Sequence, residues 1–105
     1  ARSAFMEGEY NLVFQQCRNA YEEMVKPLGG PSLRDLDTLL KDKDKATRIR
    51  NTFSEGRFYH FLSMAEHPPP VEAIAPREIT RRDAELVLSV TCALIVYFSK
   101  LLSQQ

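Results

Sequence analysis

Apolar residues dominate the last quarter of the chain. From residue 84 to residue 98 most side chains are apolar, and a helical projection at about 100° per residue gathers most of the polar ones on one narrow stripe. A helix that is apolar around most of its circumference has to be covered by its own domain, by another chain or by lipid. The pattern therefore predicts a central C-terminal helix. Its polar stripe consists of Glu85, Ser89, Cys92, Val96, Lys100 and Ser103.

The N-terminal quarter carries a second helical pattern. Apolar residues recur every three or four positions from Tyr10 to Leu28, which predicts one helix from near Ser3 to Lys26. Phe5 and Leu12 lie together off this apolar face, roughly 140° from its centre. They are the best candidates on this helix for contact with another molecule, although an exposed apolar pair is also ordinary at a protein surface.

The middle of the chain predicts shorter elements. Ser32 is expected to begin a second helix, and residues 41–45 form a solvated link or an exposed first turn. Between residues 46 and 65 the apolar phase shifts near Ser54. This shift indicates two helical pieces, or one helix whose contacts change sides there.

Three consecutive prolines then interrupt helical structure. Residues 68–70 are Pro-Pro-Pro, and residues 71–79 are expected to form an extended strap across the bundle. Thr80 is the predicted cap of the last helix, with Asp83 at its third position. The fold class is therefore all-α: a compact bundle of four to five helices with a central, mostly apolar C-terminal helix and a proline-rich extended connection before it.

Length and charge limit the functional classes. The 105 residues form one helical domain, 1–105, or a fragment of a larger protein. Fourteen basic and fourteen acidic residues cancel, so no net field attracts nucleic acid or anionic lipid. The apolar run of about 13 residues is shorter than the roughly 20 that a membrane span needs, so no membrane association is expected.

The cysteines indicate the compartment. Cys17 and Cys92 both lie in apolar segments, and reduced thiols in an intracellular protein, in the cytoplasm or the nucleus, are the favoured interpretation. A disulfide joining the first and last helices is the alternative.

No catalytic or metal-binding motif occurs. His60 and His67 are the only histidines, and their separation does not suit a zinc site. We expect no metal, no cofactor and no enzymatic activity. A helical enzyme or small-ligand pocket lined by Tyr10, Tyr21, Cys17 and Cys92 is the least supported alternative.

Aromatic and basic residues cluster between residues 45 and 59. Phe58 and Tyr59 cannot both point inward from one helix, so they are predicted to contact a partner, with two-sided packing inside the domain as the alternative. Arg57, Arg81 and Arg82 are the accompanying basic candidates. The leading hypothesis is a non-catalytic protein-interaction or assembly module, an adaptor or scaffold that binds itself or another protein. The alternative is a nucleic-acid-associated domain that uses tract 45–59 with Arg77, Arg81 and Arg82.

Overall fold

The computed structural model describes residues 2–54, 57–66 and 78–103, with the side chains of residues 65 and 66 excepted. Within those ranges the chain is helical and contains no β-strand, which confirms the all-α class. The α-helices are α1 (Arg2–Met6), α2 (Tyr10–Val25), α3 (Lys43–Phe53), α4 (Phe58–Leu62) and α5 (Arg81–Ser103). Short 3-10 helices cover Lys26–Leu28, Arg34–Thr38 and Ser63–Glu66.

The helix predicted from Ser3 to Lys26 is divided in the structure. Gly8 has a φ of +77°, and the peptide N–H groups of Gly8 and Glu9 donate to carbonyls of α1. A left-handed glycine closes a helix in this way and redirects the chain. As a result, Phe5 lies on α1 and Leu12 on α2, so the single face that the sequence predicted for them does not exist.

The segment after α2 also differs from the predicted α-helix. Leu33 adopts a left-handed conformation with a φ of +54°, and a 3-10 helix begins at Arg34. The Leu33 side chain is fully buried, and its carbonyl accepts a hydrogen bond from Arg50 Nε at 3.1 Å. Tertiary contacts thus hold a backbone conformation that a non-glycine residue adopts only at a cost.

The interruption near Ser54 is confirmed as two helical pieces, because α3 ends at Phe53 and α4 begins at Phe58. Thr80 also behaves as predicted. Its N–H donates to Asp83 Oδ2 at 3.0 Å, and the Asp83 N–H donates to Thr80 Oγ1 at 3.4 Å. These reciprocal bonds form a capping box that fixes the start of α5. The predicted strap, residues 71–79, lies outside the described residues except for Glu78 and Ile79, and the three prolines before it also lie outside them.

The core forms around α2. This helix packs against α1, α4 and α5, and the longest contact is the one with α5. Fully buried side chains from α2 meet those of α5 and the 3-10 segments, and they include Val13, Phe14, Tyr21, Leu28, Leu36, Val87 and Phe98. α5 is therefore part of the core through one of its faces.

Candidate functional site

The two sides of α5 have different environments. One side is buried against the domain and consists of Ala84, Val87, Thr91, Leu94 and Phe98. The opposite side contains the polar stripe identified from the sequence, and all six of its residues are exposed. The polar stripe identified from the sequence therefore lies on the solvent side of α5.

Several apolar side chains of α5 nevertheless remain uncovered. Leu86 is 53% exposed and Val96 is 52% exposed. By length and composition α5 resembles a membrane-spanning helix, but so do core helices of soluble proteins when they are mostly buried. Only 22% of the most apolar window of α5 is buried within the domain. The described part of the chain thus leaves a large share of this apolar helix without cover.

An apolar groove lies between α3 and α5. One cavity of this groove has a volume of about 380 Å³. Every side chain along this cavity is apolar or aromatic. The lining residues are Ile49 and Phe53 from α3 and Ala93, Leu94, Tyr97 and Phe98 from α5.

A second depression of about 440 Å³ continues the first. It shares Ala93 and Tyr97 with the first cavity, so the two form one surface that we call the α3–α5 groove. Its remaining lining residues are Leu40, Lys45, Val96, Lys100 and Leu101. The groove is therefore lined by apolar and aromatic side chains in one part and carries two lysines in the other.

The position of α3 explains why the groove is open. Asp42 caps α3 by accepting a hydrogen bond from the Lys45 N–H at 3.0 Å. At the other end, the Tyr21 hydroxyl donates to the Phe53 carbonyl at 2.7 Å. Arg50 joins α3 to the preceding segment through Leu33 and through Asp37 at 3.2 Å. These bonds tie α3 to α2 and to the 34–38 turn rather than to α5, so the facing sides of α3 and α5 stay apart.

Phe58 and Tyr59 pack inside the domain. The Phe58 ring lies 6.4 Å from the Tyr21 ring and 6.3 Å from the Phe53 ring. The Tyr59 ring lies 5.8 Å from Tyr21, and its hydroxyl donates to Glu22 and accepts from Arg18 at 3.1 Å. Burial and the bond to Glu22 raise the pKa of Tyr59. Both side chains are half-buried, which favours the two-sided packing that the sequence left open.

The other predicted contact residues do not form one surface. Arg81 lies over the Phe5 ring at 5.0 Å and pairs with Glu85 at 3.1 Å, which brings two of the candidates together. Leu12 is 36% exposed and lines a separate shallow depression on α2. Arg57 and Arg82 are exposed. None of these residues lines the α3–α5 groove.

Carboxylates neutralise part of the basic tract that motivated the nucleic-acid alternative. Arg48 pairs with Asp44 at 2.8 Å, and Arg50 pairs with Asp37. Arginines bound to neighbouring carboxylates have less charge to offer to phosphates. The tract therefore gives little support to nucleic-acid binding.

The four residues considered for a small-ligand pocket do not line one cavity. Tyr21 and Cys17 are buried, whereas Cys92 is exposed and Tyr10 lines the depression on α2. The two cysteines are free, and burial raises the pKa of Cys17. No cluster of three or more metal-ligating side chains occurs within the described ranges.

Sequence reasoning missed the α3–α5 groove. Two of its signals were visible, because Ile49 and Phe53 share one face of α3 and Ala93 lies beside the polar stripe of α5. The missing information was which helices face each other. Searches against protein-family models, curated proteins and solved structures found no match for the chain.

Proposed function

We propose that this domain is a non-catalytic protein-interaction or assembly module that docks a partner in the α3–α5 groove. The supporting observation is the apolar lining of this groove, which the described residues leave uncovered although α5 is apolar over most of its surface. Contiguous exposed apolar surface is costly in water and is typical of interaction sites. The residues that line the groove include no histidine, cysteine or carboxylate that could act as a catalytic group.

Two free cysteines are consistent with a reducing, intracellular environment. We propose that this role is carried out in the cytoplasm or the nucleus. The partner in such a role is another protein or a second copy of the chain.

Site-specific photo-crosslinking in cells tests this function. Ala93 is exposed at the centre of the groove and is replaced by a photoreactive phenylalanine in the full chain. Thr47, which is exposed on the side of α3 away from the groove, is replaced in a matched control. We expect a protein adduct from position 93 and none from position 47.

The size of the adduct identifies the type of association. An adduct of twice the chain mass indicates self-association, and another mass indicates a different protein. No adduct at position 93, or equal labelling at both positions, would contradict the proposed function.

A further inference from the structure

We infer that the α3–α5 groove binds an acidic amphipathic α-helix of a partner protein, with carboxylates placed against Lys45 and Lys100. This inference rests on the proposed docking function and adds the chemistry of the occupant. It depends on the shape of the groove, on its two lysines and on the exposed apolar residues of the chain itself.

The walls of the groove favour a helix over an extended peptide. Both walls are α-helices, whose backbone N–H and C=O groups bond within each helix. An extended peptide in the apolar part would bury its own backbone groups without partners, which costs roughly 1–3 kcal/mol for each group. A helical peptide bonds its backbone internally and avoids this cost.

The side-chain rows of the walls have helical spacing. Lys45, Ile49 and Phe53 follow each other four residues apart on α3, and Ala93, Tyr97 and Leu101 do the same on α5. Ridges with this spacing interdigitate with the side chains of a third helix. The small side chain of Ala93 permits close approach of that helix. The 11 residues of α3 span about 16 Å, so the groove accommodates about three helical turns.

Charge identifies the chemistry of the occupant. Lys45 and Lys100 are the charged residues that line the groove, and neither has a carboxylate within ion-pair distance in the described part of the chain. Arg48 on α3 and Arg81 on α5, which lie outside the groove, pair with carboxylates. Lys43 and Arg82 on the same helices form no such pair among the described residues, but they do not line the groove. Two unpaired lysines beside an apolar surface are complementary to an amphipathic helix whose apolar face is flanked by acidic residues.

A second copy of the chain is a poor occupant. The large exposed apolar residues of the described ranges are Met6, Leu12, Leu86 and Val96. They lie on three different helices, and the two on α5 are ten residues apart. Val96 itself lines the groove, and the other three residues do not form a continuous apolar row that would fill a groove walled by two helices. This favours a different protein as the occupant.

A panel of synthetic peptides tests the inference. Three labelled peptides of about 14 residues share leucines at helical spacing and carry Glu, Gln or Lys at the flanking positions. Fluorescence polarisation with the full chain measures their affinities at low and high salt. We expect the Glu peptide to bind about tenfold tighter than the Lys peptide, with a smaller difference at high salt.

Charge reversal provides the decisive comparison. The double variant Lys45→Glu with Lys100→Glu should reverse the preference so that the Lys peptide binds more tightly. Lys26→Glu with Arg34→Glu makes the same change in net charge at exposed positions outside the groove and should preserve the preference. Circular dichroism verifies that both variants remain helical, and Lys45→Gln with Lys100→Gln should bind the Glu and Lys peptides about equally.

Each remaining outcome overturns the inference and leaves the function separately testable. Equal binding of all three peptides to the unmodified chain would retain the groove and reject its acidic occupant. Absence of binding by every peptide would reject a helix in the groove. Sedimentation with vesicles of phosphatidylcholine and phosphatidylserine, or a dimer by light scattering, would show a lipid or a second copy in its place. Photo-crosslinking at position 93 decides the docking function independently of these results.

Discussion

The Tyr21 hydroxyl connects two helices from a fully buried position. It donates to the Phe53 carbonyl at the end of α3, while its ring packs against Phe58 and Tyr59. Tyr21→Phe keeps the ring and leaves that carbonyl without its donor, so we expect a loss of about 1–2 kcal/mol in the free energy of unfolding. Urea unfolding at pH 7 measures it. Tyr97→Phe is the matched control, because the Tyr97 hydroxyl has no hydrogen-bond partner among the described residues, and its change should stay within about 0.5 kcal/mol.

The same variant has a pH signature. Burial raises the pKa of Tyr21 above its ordinary value of 10.0, because the buried phenolate is poorly solvated. Above pH 10 the folded state therefore retains a proton on Tyr21 that the unfolded state releases. The contribution of Tyr21 to the free energy of unfolding is complete below pH 10 and is lost as the pH rises above it. The alkaline decrease in stability should be smaller in Tyr21→Phe than in the unmodified chain. Tyr59 and Cys17, whose pKa values burial also raises, keep their contributions in both proteins. An identical decrease in both proteins would contradict the role of Tyr21.

Among the structural elements, the turn after α2 contains two adjacent glycines that differ in their surroundings. Gly29 and Gly30 have φ angles of +95° and +85°. A Cβ on Gly29 would lie 2.9 Å from Arg34 Cβ and from the Asp35 nitrogen, whereas a Cβ on Gly30 would meet nothing within 4 Å. Gly30→Ala should thus cost only the left-handed strain, about 1–2 kcal/mol. Gly29→Ala adds a clash with backbone and should cost more, as thermal unfolding would measure. Equal losses would show that the turn yields at Arg34.

Local signals predicted the ends of several elements. Thr80 and Asp83 have the spacing of a capping box and form one, and the phase shift near Ser54 corresponds to the end of α3. The same local reasoning failed at Gly8, since the apolar spacing continues on both sides of the break and one glycine inside a helical pattern is tolerated. It also failed at Leu33, whose left-handed backbone depends on burial and on a bond from Arg50.

The α3–α5 groove was beyond the reach of local signals. Periodicity located Ile49 and Phe53 on one face of α3 and identified the polar stripe of α5. It gave no information on the contact between Tyr21 and Phe53, which positions α3 through α2. Whether two apolar faces close on each other or leave a gap depends on such long-range bonds, and these become visible only in the assembled domain.

The shape of the whole molecule explains why α5 is incompletely covered. The shortest dimension of the molecule is 18 Å. An α-helix with its side chains is about 10 Å across, so the domain is about two helices thick. In a two-layer arrangement each helix has one side against the other layer and another side toward solvent. An apolar C-terminal helix in such a domain necessarily presents part of its apolar surface outward, and the α3–α5 groove is where that surface is concave.

The same layering predicts how the molecule tolerates charge on α5. Leu86 and Val96 are about half exposed, whereas Leu94, on the same helix, is 7% exposed. Leu86→Lys with Val96→Lys should raise solubility at neutral pH, where the net charge of the unmodified chain is zero, and should change the free energy of unfolding by less than about 1 kcal/mol. Leu94→Lys places the same charge in the core and should abolish cooperative unfolding. Precipitation assays and thermal unfolding measure the two effects. If the double variant loses as much stability as Leu94→Lys, both sides of α5 are buried in solution and the groove is not free to receive a partner.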